Sequence, residues 1–202
     1  KNKPEIAVMN KKQQLRLEKY LDERPSVTSV GIAISMYMGL RIGEVCALQW
    51  KEIDLEKRVL TVSKTIQRVQ CRTGSKQTKL IITEPKSESS KRTIPIPDCL
   101  LPLLRRFKDN GEVYVVSGRK KPVEPRTMQY RFAKILHNAD LPSFHYHSLR
   151  HLFATRCVEL GFDVKTLSEI LGHSSVEVTL NRYIHSDMER KRTCMSLLSK
   201  CA

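Results

Sequence analysis

The 202-residue chain has no run approaching the roughly 18 consecutive apolar residues that a membrane-spanning helix needs, which excludes a helical membrane protein. Its first residues, KNKPEIAVMNKKQQ, are charged but lack an apolar signal core, so secretion is not expected. An initiator Met is missing too, and the chain is therefore expected to be a piece of a longer protein. The cysteines at 46, 71, 99, 157, 194 and 201 form no C-x-x-C pair and never lie closer than seven residues. They read as free thiols in a reducing compartment. Internal repeats and low-complexity tracts are absent. Acidic residues are scarce: 21 Asp and Glu stand against 36 Lys and Arg, a net charge of +15.

That charge is unevenly spread. Residues 1–56 carry a net +1, residues 57–141 a net +12 and residues 142–202 a net +2. A local excess of this kind is the footprint of a polyanionic partner, most often nucleic acid, because Lys and Arg that neutralise phosphates release condensed counterions. The alternative is a solvated basic face. With 40% hydrophobic and 28% charged residues, the chain has the composition of an ordinary globular protein long enough for one sizeable domain.

Periodicity divides the chain into helices around a small β element. Helices are expected over 10–23, ending before Pro25, over 27–38 with Gly39 as the stop, and from RIGEVCALQW, where Ile42, Val45 and Leu48 recur at helical spacing. After Trp50, RVLTVSKTIQRV (58–69) and TKLIIT (78–83) alternate apolar and polar residues and are rich in Val, Ile and Thr, as strands are. With RTIPI (92–96) they predict a three-stranded antiparallel ribbon whose loops, QCRTGSKQ and EPKSESSK, hold much of the positive charge. Residues 98–108 and 126–138 read as helices, and VYVV (113–116) as a short strand or buried turn. Beyond His147 everything is helical: 147–160, 163–171, a short helix near 175–182 and a tail from about 187 to 199. The fold class is α+β, mainly α-helical with a small three-stranded antiparallel sheet.

Polar residues cluster late in the chain. FHYHSLRHLFATR sets His147 and Arg150 three apart, on one face of a helix, and LGHSS presents His173 at a turn after a helix-ending glycine. A metal site would draw on His147 and His151, spaced i, i+4, with His145, His173 and His185 nearby. Against it, Arg150 would press a cation on the same face, and no H-E-x-x-H pattern or fourth Asp, Glu or Cys ligand accompanies them. Two arginines, a lysine, two histidines and a tyrosine suit phosphoryl transfer instead, which needs cations on the non-bridging oxygens, an in-line nucleophile and an acid for the leaving oxygen. Tyrosine needs help in that role, since its phenol, with a pKa near 10, lies roughly 4 kcal/mol from ionisation at pH 7. Neighbouring cations and a histidine base supply it without a metal.

GLRIGE with Arg41, TEPKSESSKRTIPI with its hairpin lysine, HSLRH with His147 and Arg150, LGHSS with His173 and TLNRYIH with Tyr183 together resemble the catalytic domain of the tyrosine recombinase (phage integrase) family. The likeness runs from about residue 25 to 186 and is greatest to the integrases of conjugative transposons. It implies that Arg41 and Arg150 clamp the scissile phosphate, that His147 handles a proton and that His173 hydrogen-bonds the phosphate and buttresses the site. Tyr183 is then the nucleophile, leaving a 3′-phosphotyrosyl enzyme and a free 5′-hydroxyl. Lys86 best matches the lysine that protonates the leaving oxygen, with Lys91 close by; Glu44 matches an acidic position expected to support structure rather than chemistry. The resemblance further implies a domain over 1–186, with a linker and first helix in 1–24, and a tail helix, 187–202, docked on a neighbour or folded back. It implies double-stranded DNA as partner, a homo-oligomer up to a tetramer, no cofactor, no metal, no membrane, and a bacterial, cytoplasmic, DNA-associated setting. A type IB topoisomerase and a catalytically silent DNA-binding module remain as alternatives at this point.

Overall fold

The computed structural model describes residues 9–70, 78–84, 91–109 and 111–183, together with 188, 191, 192, 195 and 196. Its centre is α2 (Val27–Met38), whose sequence VTSVGIAISMYM is small or apolar on every side and is buried almost throughout. A helix apolar all round belongs inside a core. Ser26 caps its start by accepting from the Ser29 N–H, and Gly39, at φ 69°, ends it in the left-handed conformation that glycine adopts without strain. Around it lie α1 (Lys11–Glu23), opened by a reciprocal Asn10–Gln13 capping box, α3 (Ile42–Ala47), α4 (Leu101–Phe107), α5 (Pro125–Asn138) and α6 (His147–Glu159). Tyr146, just before α6, joins this layer to α2 through hydrogen bonds of its hydroxyl with Ser35 Oγ (2.9 Å) and the Gly31 carbonyl (3.1 Å). Its ring meets Phe132 edge-on at 5.3 Å.

A second, smaller cluster gathers Ala154, Cys157 and Val158 of α6, Leu167 and Leu171 of α7 (Val164–Leu171), and Tyr183 at the end of α8 (Val176–Tyr183). Asp163 caps α7 through the Thr166 N–H, and Gly172, at φ 63°, closes it. Cys46 and Cys157 are free and buried; burial pushes their thiols up to about 12 and about 11, so both act as small hydrophobes.

The strand prediction needs correction. The stretch 58–69 is two strands, β2 (Val59–Val62) and β3 (Thr65–Gln70), and these serve two sheets rather than one ribbon. In the first, β1 (Ile53–Asp54), β2 and β5 (Arg92–Pro95) pair antiparallel with Leu60 opposite Ile94. In the second, β3 pairs with β4 (Thr78–Thr83), Ile66 opposite Ile82. Burial explains the partition. Leu60, Val62 and Ile94 all face the core, so β5 joins β2; β4 shows no buried residue and has no such face to offer. The break falls at Ser63, whose hydroxyl bonds the Glu52 carboxylate. VYVV is a buried turn in which the Trp50 N–H bonds Val113 and the Val115 N–H bonds Leu48. The described residues of the expected tail helix, 188, 191, 192, 195 and 196, are helical and exposed; the rest of that tail lies outside the described residues. Among the described residues no helix is long and apolar enough to cross a membrane.

Gly39 carries two constraints at once. A Cβ there would stand 2.5 Å from the Phe153 ring and 2.9 Å from Leu171, on a backbone already left-handed. Gly39→Ala is expected to cost about 2–5 kcal/mol in urea unfolding, the sum of the left-handed penalty and overpacking.

Candidate functional site

The site forms where the two hydrophobic clusters meet. Arg41 precedes α3 and is the residue that caps it, its backbone N–H donating to Glu44 Oε2 at 2.8 Å. Its guanidinium donates through Nη1 to Glu44 Oε1 (2.9 Å) and through Nη2 to the Gly172 carbonyl (2.9 Å), while the side chain stays 37% exposed. The rest of that cation faces outward, available to an anion.

Glu44 is 4% exposed and has a second cation, Arg92 of β5, on its other side. Arg92 donates to Glu44 Oε1 (3.1 Å) and Oε2 (3.0 Å), and its Nε to the Ile170 carbonyl (2.6 Å). Burial alone would push the Glu44 carboxyl up; the hydrogen bonds and charge of Arg92, the charge of Arg41 and its N–H together outweigh that and hold it below its ordinary 4.5. The supporting role expected of Glu44 thus has a concrete form. Arg92 was missed in the sequence, although a signal existed: it has the strand parity of the buried Ile94, so an arginine in RTIPI had to face inward.

Arg150, in the second turn of α6, is 2% exposed. Its Nη1 donates to the Gly39 carbonyl at 2.8 Å, and its Nη2 is buried with no hydrogen-bond partner among the described residues. Burial above all, then the like charge of Arg41, bring this guanidinium down from its ordinary value to about 9; Glu44 and Tyr183 pull the other way. A cation in such surroundings favours an arriving anion.

His147 begins α6 on the exposed side and meets His151 edge-on at 4.7 Å. His151 in turn lies 5.3 Å from the Tyr183 ring, and His173 stacks parallel to that ring, 5° between planes, at 6.3 Å. Nδ1 of His173 is 2.8 Å from Thr179 Oγ1, with both residues buried. Tyr183 is 8% exposed, and its hydroxyl is buried with no hydrogen-bond partner among the described residues. Arg41, His147, Arg150, His173 and Tyr183 are therefore brought into one neighbourhood, while Lys86 lies outside the described residues. Lys91 is exposed beside a cleft of about 360 Å³ that it shares with Arg92 and His173; a second cleft of about 480 Å³ is lined in part by His147 and Arg150. Among the described residues no three His, Cys, Asp or Glu side chains converge as metal ligands.

Removing one member of a buried ion pair strands the other. Glu44→Ala is expected to cost about 3–5 kcal/mol in urea unfolding. A carboxyl whose folded-state value lies below its unfolded one stabilises the fold fully above the unfolded value and stops doing so as pH falls through the folded value. Wild-type stability should therefore decline as pH drops below the ordinary 4.5, and Glu44→Gln should flatten that part of the profile.

Residues 7–190 match the Phage integrase family. Among similar proteins, a XerC-like tyrosine recombinase of Caldanaerobacter subterraneus subsp. tengcongensis is 33% identical over 180 residues, 80% of this chain and 46% of that protein. The ICEBs1 integrase of Bacillus subtilis is 28% identical over 165 residues, 75% of this chain and 43% of that protein. Among solved structures, the Tn1549 transposon integrase in complex with transposon right end DNA superposes with a TM-score of 0.76 at 26% identity, covering 98% of this chain and 67% of that one. The chain spans about half the length of the curated relatives it matches. A match along nearly the whole sequence, with the same fold at its back, makes this chain a member of the phage integrase family, the tyrosine recombinases.

Proposed function

We propose that the chain is the DNA-cleaving part of a site-specific recombinase, an integrase that breaks and rejoins DNA strands through a 3′-phosphotyrosyl intermediate. The observation that carries this reading is the pairing of two groups with no hydrogen-bond partner among the described residues, the buried Arg150 Nη2 and the buried Tyr183 hydroxyl, in a neighbourhood rich in cations. A DNA phosphate answers both needs.

In the proposed reaction Arg41 and Arg150 bind the non-bridging oxygens, and His173 adds a hydrogen bond. The Tyr183 oxygen bonds to phosphorus as its proton passes to His147. The bond to the 5′ oxygen breaks, and that oxygen takes a proton from Lys86 or, failing that, Lys91. Charge building on the phosphorane is met by arginines already fixed in place, which is where preorganised electrostatics lower a barrier most. The phosphotyrosine conserves the energy of the cleaved bond, so a 5′-hydroxyl from another duplex reverses the step and completes strand exchange without a cofactor. The Tn1549 integrase is known in complexes with transposon right end DNA and with circular intermediate DNA, which supports double-stranded DNA as the partner here. We read residues 1–186 as the catalytic domain and 187–202 as a tail for docking, on DNA, in assemblies up to a tetramer. A bacterial cytoplasm is the setting this chemistry fits.

Tyr183→Phe should bind DNA as the wild type does yet form no covalent adduct on a nicked duplex carrying the element ends; an adduct from that variant would refute the assignment. Lys86→Ala should lose cleavage and regain it on a substrate whose leaving group is a 5′-thiol, which needs no acid. Rescue confined to Lys91→Ala would move the role to Lys91. DNA affinity should fall about a thousandfold or more between 50 and 200 mM salt if six or more phosphates are contacted.

A further inference from the structure

We propose that Thr179 is a positioning residue that fixes the tautomer of His173, so that α8 both carries Tyr183 and sets the hydrogen-bonding state of the imidazole beside it. The functional consequence rests on the recombinase reading; the geometry does not. Thr179 is fully buried and His173 is 9% exposed, and their Oγ1 and Nδ1 atoms lie 2.8 Å apart. No other hydrogen-bond partner of the Thr179 hydroxyl occurs among the described residues.

Those facts favour one placement of the protons. A buried hydroxyl hydrogen requires an acceptor, and the one in reach among the described residues is the Nδ1 lone pair. A neutral imidazole that accepts at Nδ1 carries its own hydrogen on Nε2. Nε2 is then a donor, the form a phosphate oxygen can use. The opposite tautomer would turn a lone pair toward an anion.

The placement of Thr179 adds a coupling. It stands one helical turn before Tyr183, at i and i+4, on the same face of α8. The His173 ring held by that hydroxyl lies parallel to the Tyr183 ring. Any shift of α8 that withdraws Tyr183 also breaks the bond at Nδ1 and removes the hold of the hydroxyl on the tautomer. Nucleophile and phosphate donor thus become ready together.

Long-range 1H–15N correlation spectra of the labelled 202-residue chain, recorded at about pH 8 where histidine is ordinarily neutral, report the tautomer directly. His173→Gln assigns the signal. The Nε2–H form is expected in the wild type and in Thr179→Ser, and a mixture or the Nδ1–H form in Thr179→Val, with Thr179→Ala as the substitute should valine disturb packing. Adduct formation on the nicked duplex should fall about 10- to 100-fold in the variant lacking the hydroxyl and hold in Thr179→Ser. A wild-type Nδ1–H signal, or a tautomer unchanged when the hydroxyl is removed, overturns the proposal. A wild type that forms no adduct counts against the recombinase reading, while the spectra still decide the role of Thr179.

Discussion

One buried carboxylate answers two arginines, and the rest of the site is arranged around that imbalance. Glu44 is pinned by Arg41 on one side and Arg92 on the other, and neither arginine has it alone. Had Glu44 faced Arg41 only, the pair would have been close to neutral and of little use to a phosphate. With Arg92 supplying most of what Glu44 requires, Arg41 keeps a cation for the open side, and the third arginine, Arg150, adds another with no carboxylate of its own among the described residues. Among the described residues, Glu44 is the carboxylate that pairs with these arginines, and Arg41 and Arg150 keep positive charge toward the site. Low local dielectric makes that charge costly in the empty protein and effective once an anion arrives.

The same imbalance bears on the tyrosine. A phenol with a pKa near 10 is a poor nucleophile at neutral pH, and burial by itself makes it poorer, because burial disfavours the anion. Tyr183 is buried, yet Arg150 is near enough for the two to feel each other's charge, and two imidazoles flank its ring. In the proposed reaction the cations stabilise the phenolate as it forms and then the phosphorane that replaces it. In that proposal one set of charges serves both moments.

Much of this was legible in the sequence, for identifiable reasons. The helices over 11–23, 27–38 and 147–159 were read within a residue or two because apolar periodicity and the Ser26 and Gly39 signals agreed. Arg41, His147, Arg150, His173 and Tyr183 stood out through the order and spacing of their motifs. The strand pairing was not legible. Val, Ile and Thr recur throughout 58–69, and only the burial of Leu60 with Ile94 decides that one half pairs with β5 and the other with β4. Arg92 and Thr179 escaped because their roles are relations: one matters as a second cation on Glu44, the other as a hydroxyl on Nδ1 of a residue six positions earlier. Local spacing names side chains, whereas partners across 48 residues appear only in the fold.

How the two hydrophobic clusters are joined decides how firmly the site holds together. The main core fixes Arg41, Arg92 and Glu44, and the small cluster fixes Tyr183. Between them run α6 and a set of arginine-to-carbonyl bonds: Arg92 to Ile170 and Arg41 to Gly172 at the end of α7, with Arg150 bonding Gly39 at the end of α2. All three acceptors lie at helix C-termini, where carbonyls lack intrahelical partners and the helix dipole is negative. These ends can hold a guanidinium without cancelling its charge as a carboxylate would. Both clusters are thereby drawn to the same cations while the positive excess survives, and that requirement is met by two glycines that let α2 and α7 stop where the arginines are.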